Sequence, residues 1–214
     1  MKKIFAIGDI HGCLDQLQEL TLSLDIDRQN DTLLFIGDYI DRGTAGREVV
    51  DYVIKLRREF NDIVFLLGNH EDMLLRYLEG IDEEMYLHNG GTATLSDYRI
   101  LRFDPPNVRK GKIPEEHLHF FQSLLPYYET KNYIFVHAGL KPGLLPGEQP
   151  VHNLLWMRQE FIYSDYDFGK LVIFGHTPLR DPLIMPNKIG IDTGVVYGGK
   201  LTCVELPAIK IYQV

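Results

Sequence analysis

An α/β fold built on parallel strands is predicted by three observations. Short apolar runs rich in β-branched and aromatic residues alternate with stretches of helical periodicity. Nearly every run ends at a polar side chain, usually with a glycine just before it. The chain has 214 residues, enough for one full-sized core, so residues 1–214 read as a single domain.

Ile4 to Ile7 forms the first predicted strand. Leu14, Leu17, Thr21 and Leu24 come next at the spacing of one helix face. Leu33 to Ile36 is the second strand, Val49, Val50, Val53, Ile54 and Phe60 mark the second helix, and Ile63 to Leu67 is the third strand. Such a βαβαβ order requires parallel pairing with helices laid on the sheet. A third helix is predicted over His70 to Leu78, after which the regularity stops. Residues 80–130, with Asn89-Gly90-Gly91, Pro105-Pro106 and a helical stretch from Pro114 to Leu125, read as a small helical cap inserted into the domain. Strands resume at Tyr133 to Val136 and Leu171 to Phe174. From Ile189 onward, the turn signal Gly198-Gly199 between Ile189-Gly190-Ile191-Asp192, Leu201 to Leu206 and Ile209 to Tyr212 predicts a terminal antiparallel β-meander.

Composition narrows the function. Thirty acidic against 22 basic residues give a formal net charge of −8, which argues against a nucleic-acid partner, because phosphate-backbone affinity comes from Lys and Arg. Met1-Lys2-Lys3 before Ile4 begins like a signal peptide, but Asp9 and His11 end the apolar run too early, and no stretch approaches a membrane span. Cys13 and Cys203 are two thiols in a long chain and read as ordinary packing residues of a cytoplasmic protein. Nothing in the sequence calls for an obligate partner; a monomer is the simplest expectation.

The strand ends carry the chemistry. Asp9, Asp38, Asn69, His137 and His176 each stand just beyond a strand, where open α/β sheets bind their ligands. Two carboxylates, two imidazoles and a carboxamide form an oxygen and nitrogen donor set that suits Mn²⁺, Fe or Zn²⁺. His11, two residues after Asp9, is a sixth candidate. Six donors exceed the needs of one catalytic ion, whereas two ions sharing a carboxylate would use them all. His88, His117, His119 and His152 lie away from these loops and are read as surface or packing residues.

Gly8-Asp9-Ile10-His11-Gly12, Gly37-Asp38-Tyr39-Ile40-Asp41-Arg42-Gly43, Gly68-Asn69-His70-Glu71, His137-Ala138-Gly139 and Gly175-His176-Thr177 resemble, in order, the signature motifs of the phosphoprotein phosphatase (PPP) branch of the calcineurin-like metallophosphoesterases. The resemblance implies a sandwich of two mixed sheets between helical layers, and two divalent metal ions, Mn²⁺ foremost with Fe, Zn²⁺ or Ni²⁺ as alternatives. It implies that Asp9, His11 and Asp38 hold one ion and Asp38, Asn69, His137 and His176 the other. Attack by a metal-bridging hydroxide would make a phosphoenzyme unnecessary. His70 would protonate the leaving group, with Asp41 fixing its orientation. Arg42 matches the family's phosphate-binding arginine; for a second, Arg158 in Leu154-Leu155-Trp156-Met157-Arg158 is favoured over Arg180. Glu71 is assigned to the helix dipole, Trp156 to the core, and Asp192-Thr193-Gly194 to closing the second sheet.

Substrate choice lies in the loops around such a core. The leading expectation is a small bacterial or phage-type serine/threonine protein phosphatase, with phosphotyrosine as a further substrate. The alternative is a diadenosine tetraphosphate hydrolase, and Tyr86, Tyr98 and Phe103 would shape a peptide groove or stack a nucleobase respectively. A non-catalytic metal-dependent binding module is disfavoured because every proposed ligand, His70 and Asp41 are present.

Overall fold

A computed structural model describes residues 2–214. Its first half alternates strand and helix: β1 (Ile4–Ile7), α1 (Leu14–Ser23), β2 (Thr32–Phe35), α2 (Gly46–Glu59), β3 (Ile63–Phe65) and α3 (Asn69–Leu78). Then come α4 (Glu83–Tyr86), a π-helical turn Leu87–Gly91, α5 (Thr92–Asp97), α6 (Pro106–Lys112), α7 (Glu115–Gln122) and β4 (Tyr127–Glu129). The second half holds β5 (Tyr133–Val136), α8 (Val151–Trp156), α9 (Gln159–Ile162), β6 (Leu171–Phe174), β7 (Leu183–Ile184), β8 (Lys188–Gly190), β9 (Thr202–Leu206) and β10 (Lys210–Gln213).

The strands form two five-stranded mixed sheets, ordered β10-β9-β1-β2-β3 and β4-β5-β6-β8-β7. β1, β2 and β3 are parallel, and so are β5, β6 and β8; antiparallel strands flank both edges of the second sheet, whereas in the first sheet β9 and β10 pair antiparallel at one edge and parallel β3 forms the other. Alternation along each strand builds the layers, because successive side chains point to opposite faces. Ala6, Leu34, Ile36, Phe135, Ile173 and Ile189 meet between the sheets. Phe5, Ile7, Leu33 and Phe35 face α1, α2 and α3 on one outer side, whereas Ile134, Val136, Val172 and Phe174 face α8 and α9 on the other. Each such buried Val, Leu, Ile or Phe side chain contributes about 1.5–3 kcal/mol relative to exposure.

The expected terminal meander is corrected. Only β9 and β10 form an antiparallel hairpin in the first sheet; Lys188–Gly190 pairs parallel to β6 in the second. The reason is a sheet change at the Gly194 to Tyr197 turn, which carries the chain across the sandwich and which local periodicity cannot show. Helices α4 to α7 share the large core of α2 and α3. Arg109 ties α6 to α3 by donating to the Tyr77 carbonyl at 2.8 Å, and His117 bonds Tyr98 and Asp51. No helix among the described residues is long and apolar enough to cross a membrane.

Candidate metal centre

The carboxyl ends of β1, β2, β5 and β6 and the first turn of α3 meet at one place, and the polar side chains there are nearly all buried: Asp9, His11, Asp38, Asn69, His70, His137 and His176 are each at most 5% exposed. Asp38 stands at the centre. Its Oδ2 lies 3.3 Å from His11 Nε2, and its Oδ1 lies 3.4 Å from His137 Nε2. Two groups therefore share it: His11, Asp38 and His70, and Asp38, His137 and His176, with donor atoms within 4.8 Å of one another in each. Asn69 joins the second group, its Oδ1 lying 3.0 Å from His137 Nε2 and 2.9 Å from His176 Nδ1. Asp9 stands outside both groups and accepts the His176 backbone N–H at 3.0 and 3.1 Å.

The partners fix the tautomers. A carbonyl only accepts, so the His137 N–H on Nδ1 donates to Ile36 O at 3.1 Å and the His11 Nδ1–H donates to Ile40 O at 2.8 Å. Both rings, when neutral, then present a lone pair on Nε2 to the site, as metal-bound histidines do. His137 Nε2, Asn69 Oδ1 and Asp38 Oδ1 are thus three acceptors turned on one another, an arrangement a cation satisfies. His176 Nε2 and His70 Nε2 are buried with no hydrogen-bond partner, a costly state that a ligand relieves. The donor set fits divalent ions.

Electrostatics points the same way. Burial, with the Asp192 and Asp38 charges, holds the Asp9 carboxyl well above the usual range. Burial also pushes Asp38 up, but His137, His70 and His11 outweigh it and leave that carboxyl well below its ordinary value. Burial lowers His137 and, with the neighbouring His137 charge, takes His176 down to about 2. The lowered values favour the neutral imidazoles, which keep their lone pairs.

The backbone is strained where the site is built. His11, Asp38, Asp41, Arg42 and His176 have φ of 46°, 53°, 69°, 68° and 66°, left-handed values that cost about 1–3 kcal/mol each unless surroundings enforce them. Glu71, expected only to complement the helix dipole, is one enforcer. It is wholly buried, and its carboxylate accepts the N–H groups of Gly68 (3.1 Å), Asp38 (3.0 Å), Tyr39 (2.8 Å) and Ile40 (3.4 Å). Burial and the Asp38 charge raise its pKa well above the usual range. The signal was present as Gly68-x-x-Glu71, a third-position acid reaching back to the helix start. Gly68 must be glycine here, since a Cβ would run into the Asp38 carboxylate and lie 2.6 Å from Glu71 Oε2.

Asp41 Oδ2 accepts the His70 Nδ1–H at 2.7 Å. The Arg42 guanidinium donates to His11 Nε2 and lies 5.6 Å from the Tyr197 ring centre. Arg158 and Arg180 are both exposed; Arg158 is close enough that its charge helps depress His176. Trp156 is half-buried and meets His176 edge-on at 5.8 Å, so it walls the site as well as packing on the core. Asp192, in the loop after β8, accepts the Gly194 N–H at 3.0 Å. His117 is a buried packing residue, and His152 is exposed.

Two mixed sheets between helices, with oxygen and nitrogen donors gathered around one shared carboxylate, define a binuclear metal-dependent phosphoesterase. The chain belongs to the calcineurin-like phosphoesterase family, which it matches over residues 2–206. It is 32% identical to the asymmetrical bis(5'-nucleosyl)-tetraphosphatase PrpE of Oceanobacillus iheyensis over 96% of this chain and 89% of that protein. It is 27% identical to the PrpE of Bacillus cereus, over 97% and 92%. A solved structure assigned only provisionally as a diadenosine tetraphosphatase superposes with a TM-score of 0.76 at 24% identity, covering all of this chain and 93% of that one, a likeness of fold. These relatives overturn the expectation of a serine/threonine protein phosphatase. The physical reason is that the same strand-end motifs serve esters and anhydrides alike, so they could not choose between them.

Proposed function

We propose that the chain hydrolyses a bis(5'-nucleosyl) tetraphosphate asymmetrically, releasing a nucleoside monophosphate and a nucleoside triphosphate. The carrying observation is the 32% identity, over 96% of the chain, to a relative so named. The intact buried donor set supports it. In this reading Asp9, His11 and Asp38 hold one ion, and Asp38, Asn69, His137 and His176 the other. Two bound divalent cations supply Lewis acidity to the phosphoryl oxygens and activate water. The oxygen and nitrogen donors favour Mn²⁺, with Fe, Zn²⁺ and Ni²⁺ as alternatives.

The chain's own residues do the rest. His11 Nε2 can serve one partner at a time, so the Arg42 guanidinium would leave it once His11 held a cation and would turn to the phosphate chain of the substrate. Arg158, beside His176, clamps from the other side. Water adds to phosphorus, losing a proton to solvent, as the bridging P–O bond breaks. A proton carried on His70 Nε2, with Nδ1 bonded to Asp41, passes to the departing phosphate oxygen. The free thiols Cys13 and Cys203 suit a reducing cytoplasm.

The test is chromatography of nucleotide products from diadenosine tetraphosphate with the Mn²⁺-loaded protein, beside a phosphopeptide. Equimolar AMP and ATP are expected. No nucleotide release by a protein that hydrolyses p-nitrophenyl phosphate would refute the substrate assignment.

A further inference from the structure

The Asp41 carboxylate is held from a part of the chain far from the strand-end motifs. Tyr86, the last residue of α4, donates its hydroxyl to Asp41 Oδ1 at 2.9 Å, and Thr94 of α5 donates to the same oxygen at 2.6 Å. The Thr94 hydroxyl in turn accepts the Asp41 backbone N–H at 3.0 Å. Asp41, His70, Tyr86 and Thr94 are all fully buried. Nearby, the Gly90 carbonyl accepts the Arg42 N–H at 3.3 Å. The Asn89-Gly90-Gly91 motif makes this approach feasible, because a Cβ on Gly91 would sit 2.6 Å from the Tyr86 ring.

The pattern is more specific than general satisfaction of buried hydroxyls. Both converge on one oxygen of one carboxylate, leaving Oδ2 to the His70 Nδ1–H alone. The terminal torsion of an aspartate is broad and two-fold, so a carboxylate without such partners would hold neither its own oxygens nor the imidazole in place. Pinning Oδ1 fixes Oδ2 and with it the imidazole axis. His70 Nε2 is then left buried and unpaired, 3.9 Å from Asp38 Oδ2.

We propose that Tyr86 and Thr94 are positioning residues for His70, acting through the Asp41 carboxylate to keep Nε2 aimed into the site. The segment from α4 to α5 thereby takes part in the reaction geometry. This rests on the reading of His70 as proton donor, and is independent of which phosphoanhydride or ester is cleaved.

The experiment compares Tyr86→Phe, Thr94→Val and Thr94→Ser in the native background and in His70→Asn, using diadenosine tetraphosphate, or p-nitrophenyl phosphate should only that be turned over. Tyr86→Phe keeps the ring, and thermal melting confirms that each variant folds. Misplacing the imidazole should lower kcat about 10-fold in Tyr86→Phe and Thr94→Val with KM within about twofold. Thr94→Ser should restore most of that loss, and in the His70→Asn background neither variant should cost more than about twofold further. Independently of metal and substrate, the His70 Nδ1–H resonance of the metal-free protein should shift in Tyr86→Phe. Equal kcat losses in both backgrounds, a change in KM alone, or an unmoved resonance would overturn the proposal. Wild-type kcat in His70→Asn would remove the proton-donor reading beneath it, while the nucleotide product assay would still decide the substrate.

Discussion

The two halves of the site differ in what holds them. On the side of the second sheet, Asn69, His137 and His176 turn their donors on one another, and their supports are backbone groups and one carboxylate: the Ile36 carbonyl under His137 and Asp9 under the His176 N–H. On the side of the first sheet, the loop from Asp38 to Arg42 is left-handed at three residues and is braced by side chains from elsewhere, Glu71 of α3, Tyr86 of α4 and Thr94 of α5. The difference teaches that holding cations asks only for converging lone pairs. Aligning a proton donor and an arginine asks for a conformation the loop would not keep by itself. In the proposed mechanism the second-sheet half is a cradle and the first-sheet half carries the proton donor and the arginine.

The largest effect tests what the halves share. Asp38→Asn should reduce bound metal, measured by mass spectrometry, from two ions per chain to fewer than one and abolish turnover. Retention of both ions would mean that the halves are independent. His70→Asn comes next: kcat should fall about 10²–10⁴-fold with two ions still bound, since general acid catalysis is lost and the cradle is not. Loss of metal instead would make His70 a ligand of the group that contains it. Arg42→Ala should lower kcat/KM more than Arg158→Ala, with Arg180→Ala within about twofold of wild type, because charge-assisted contacts to phosphate are the strong ones. An unchanged Arg158→Ala enzyme would remove Arg158 from the site.

Glu71→Gln replaces an acceptor of four N–H groups by a side chain that keeps one acceptor oxygen. Stability of the metal-free protein in urea should fall by about 1–3 kcal/mol. A smaller loss would mean that the Asp38 loop is held without Glu71. The smallest effect concerns the cradle. His176 has a folded pKa depressed to about 2 from the ordinary 6.5, so the unfolded chain binds the proton first. Its contribution to stability is complete above pH 6.5 and is lost as pH falls below that value, by at most about 1.4 kcal/mol per unit. In the metal-free state, the melting temperature of wild type should therefore drop more between pH 7 and pH 5 than that of His176→Asn. Parallel curves would show that His176 is not buried neutral.

Much of this was legible in the residue order. Short apolar runs and helix-face spacings identified β1 to β3, β5 and β6, and the polar residues at their ends pointed to the place where side chains converge around Asp38, because parallel strands deliver their carboxyl-terminal neighbours to one edge of the sheet. His70 and Asp41 were legible as a pair only through resemblance; their 2.7 Å hydrogen bond is a matter of how the loop after β2 meets α3. Glu71 looked like a helix-start acid, since its four amide partners are brought to it by the turn of another loop. Thr94 carried no signature, lying in the segment where periodicity fails, and Tyr86, expected with Tyr98 to line a groove or stack a base, is instead buried, as Tyr98 is, with its hydroxyl on Asp41.

The sequence by itself determined the α/β class, the donor types and their order along the chain, because these depend on local alternation and on chemistry carried residue by residue. Only the tertiary structure decided which sheet receives Lys188–Gly190, that Asp38 faces both histidine groups, and that buried hydroxyls 45 and 53 residues away bear on Asp41. Those facts arise from contacts between distant segments. Their energies depend on burial and direction, which no window of neighbouring residues contains.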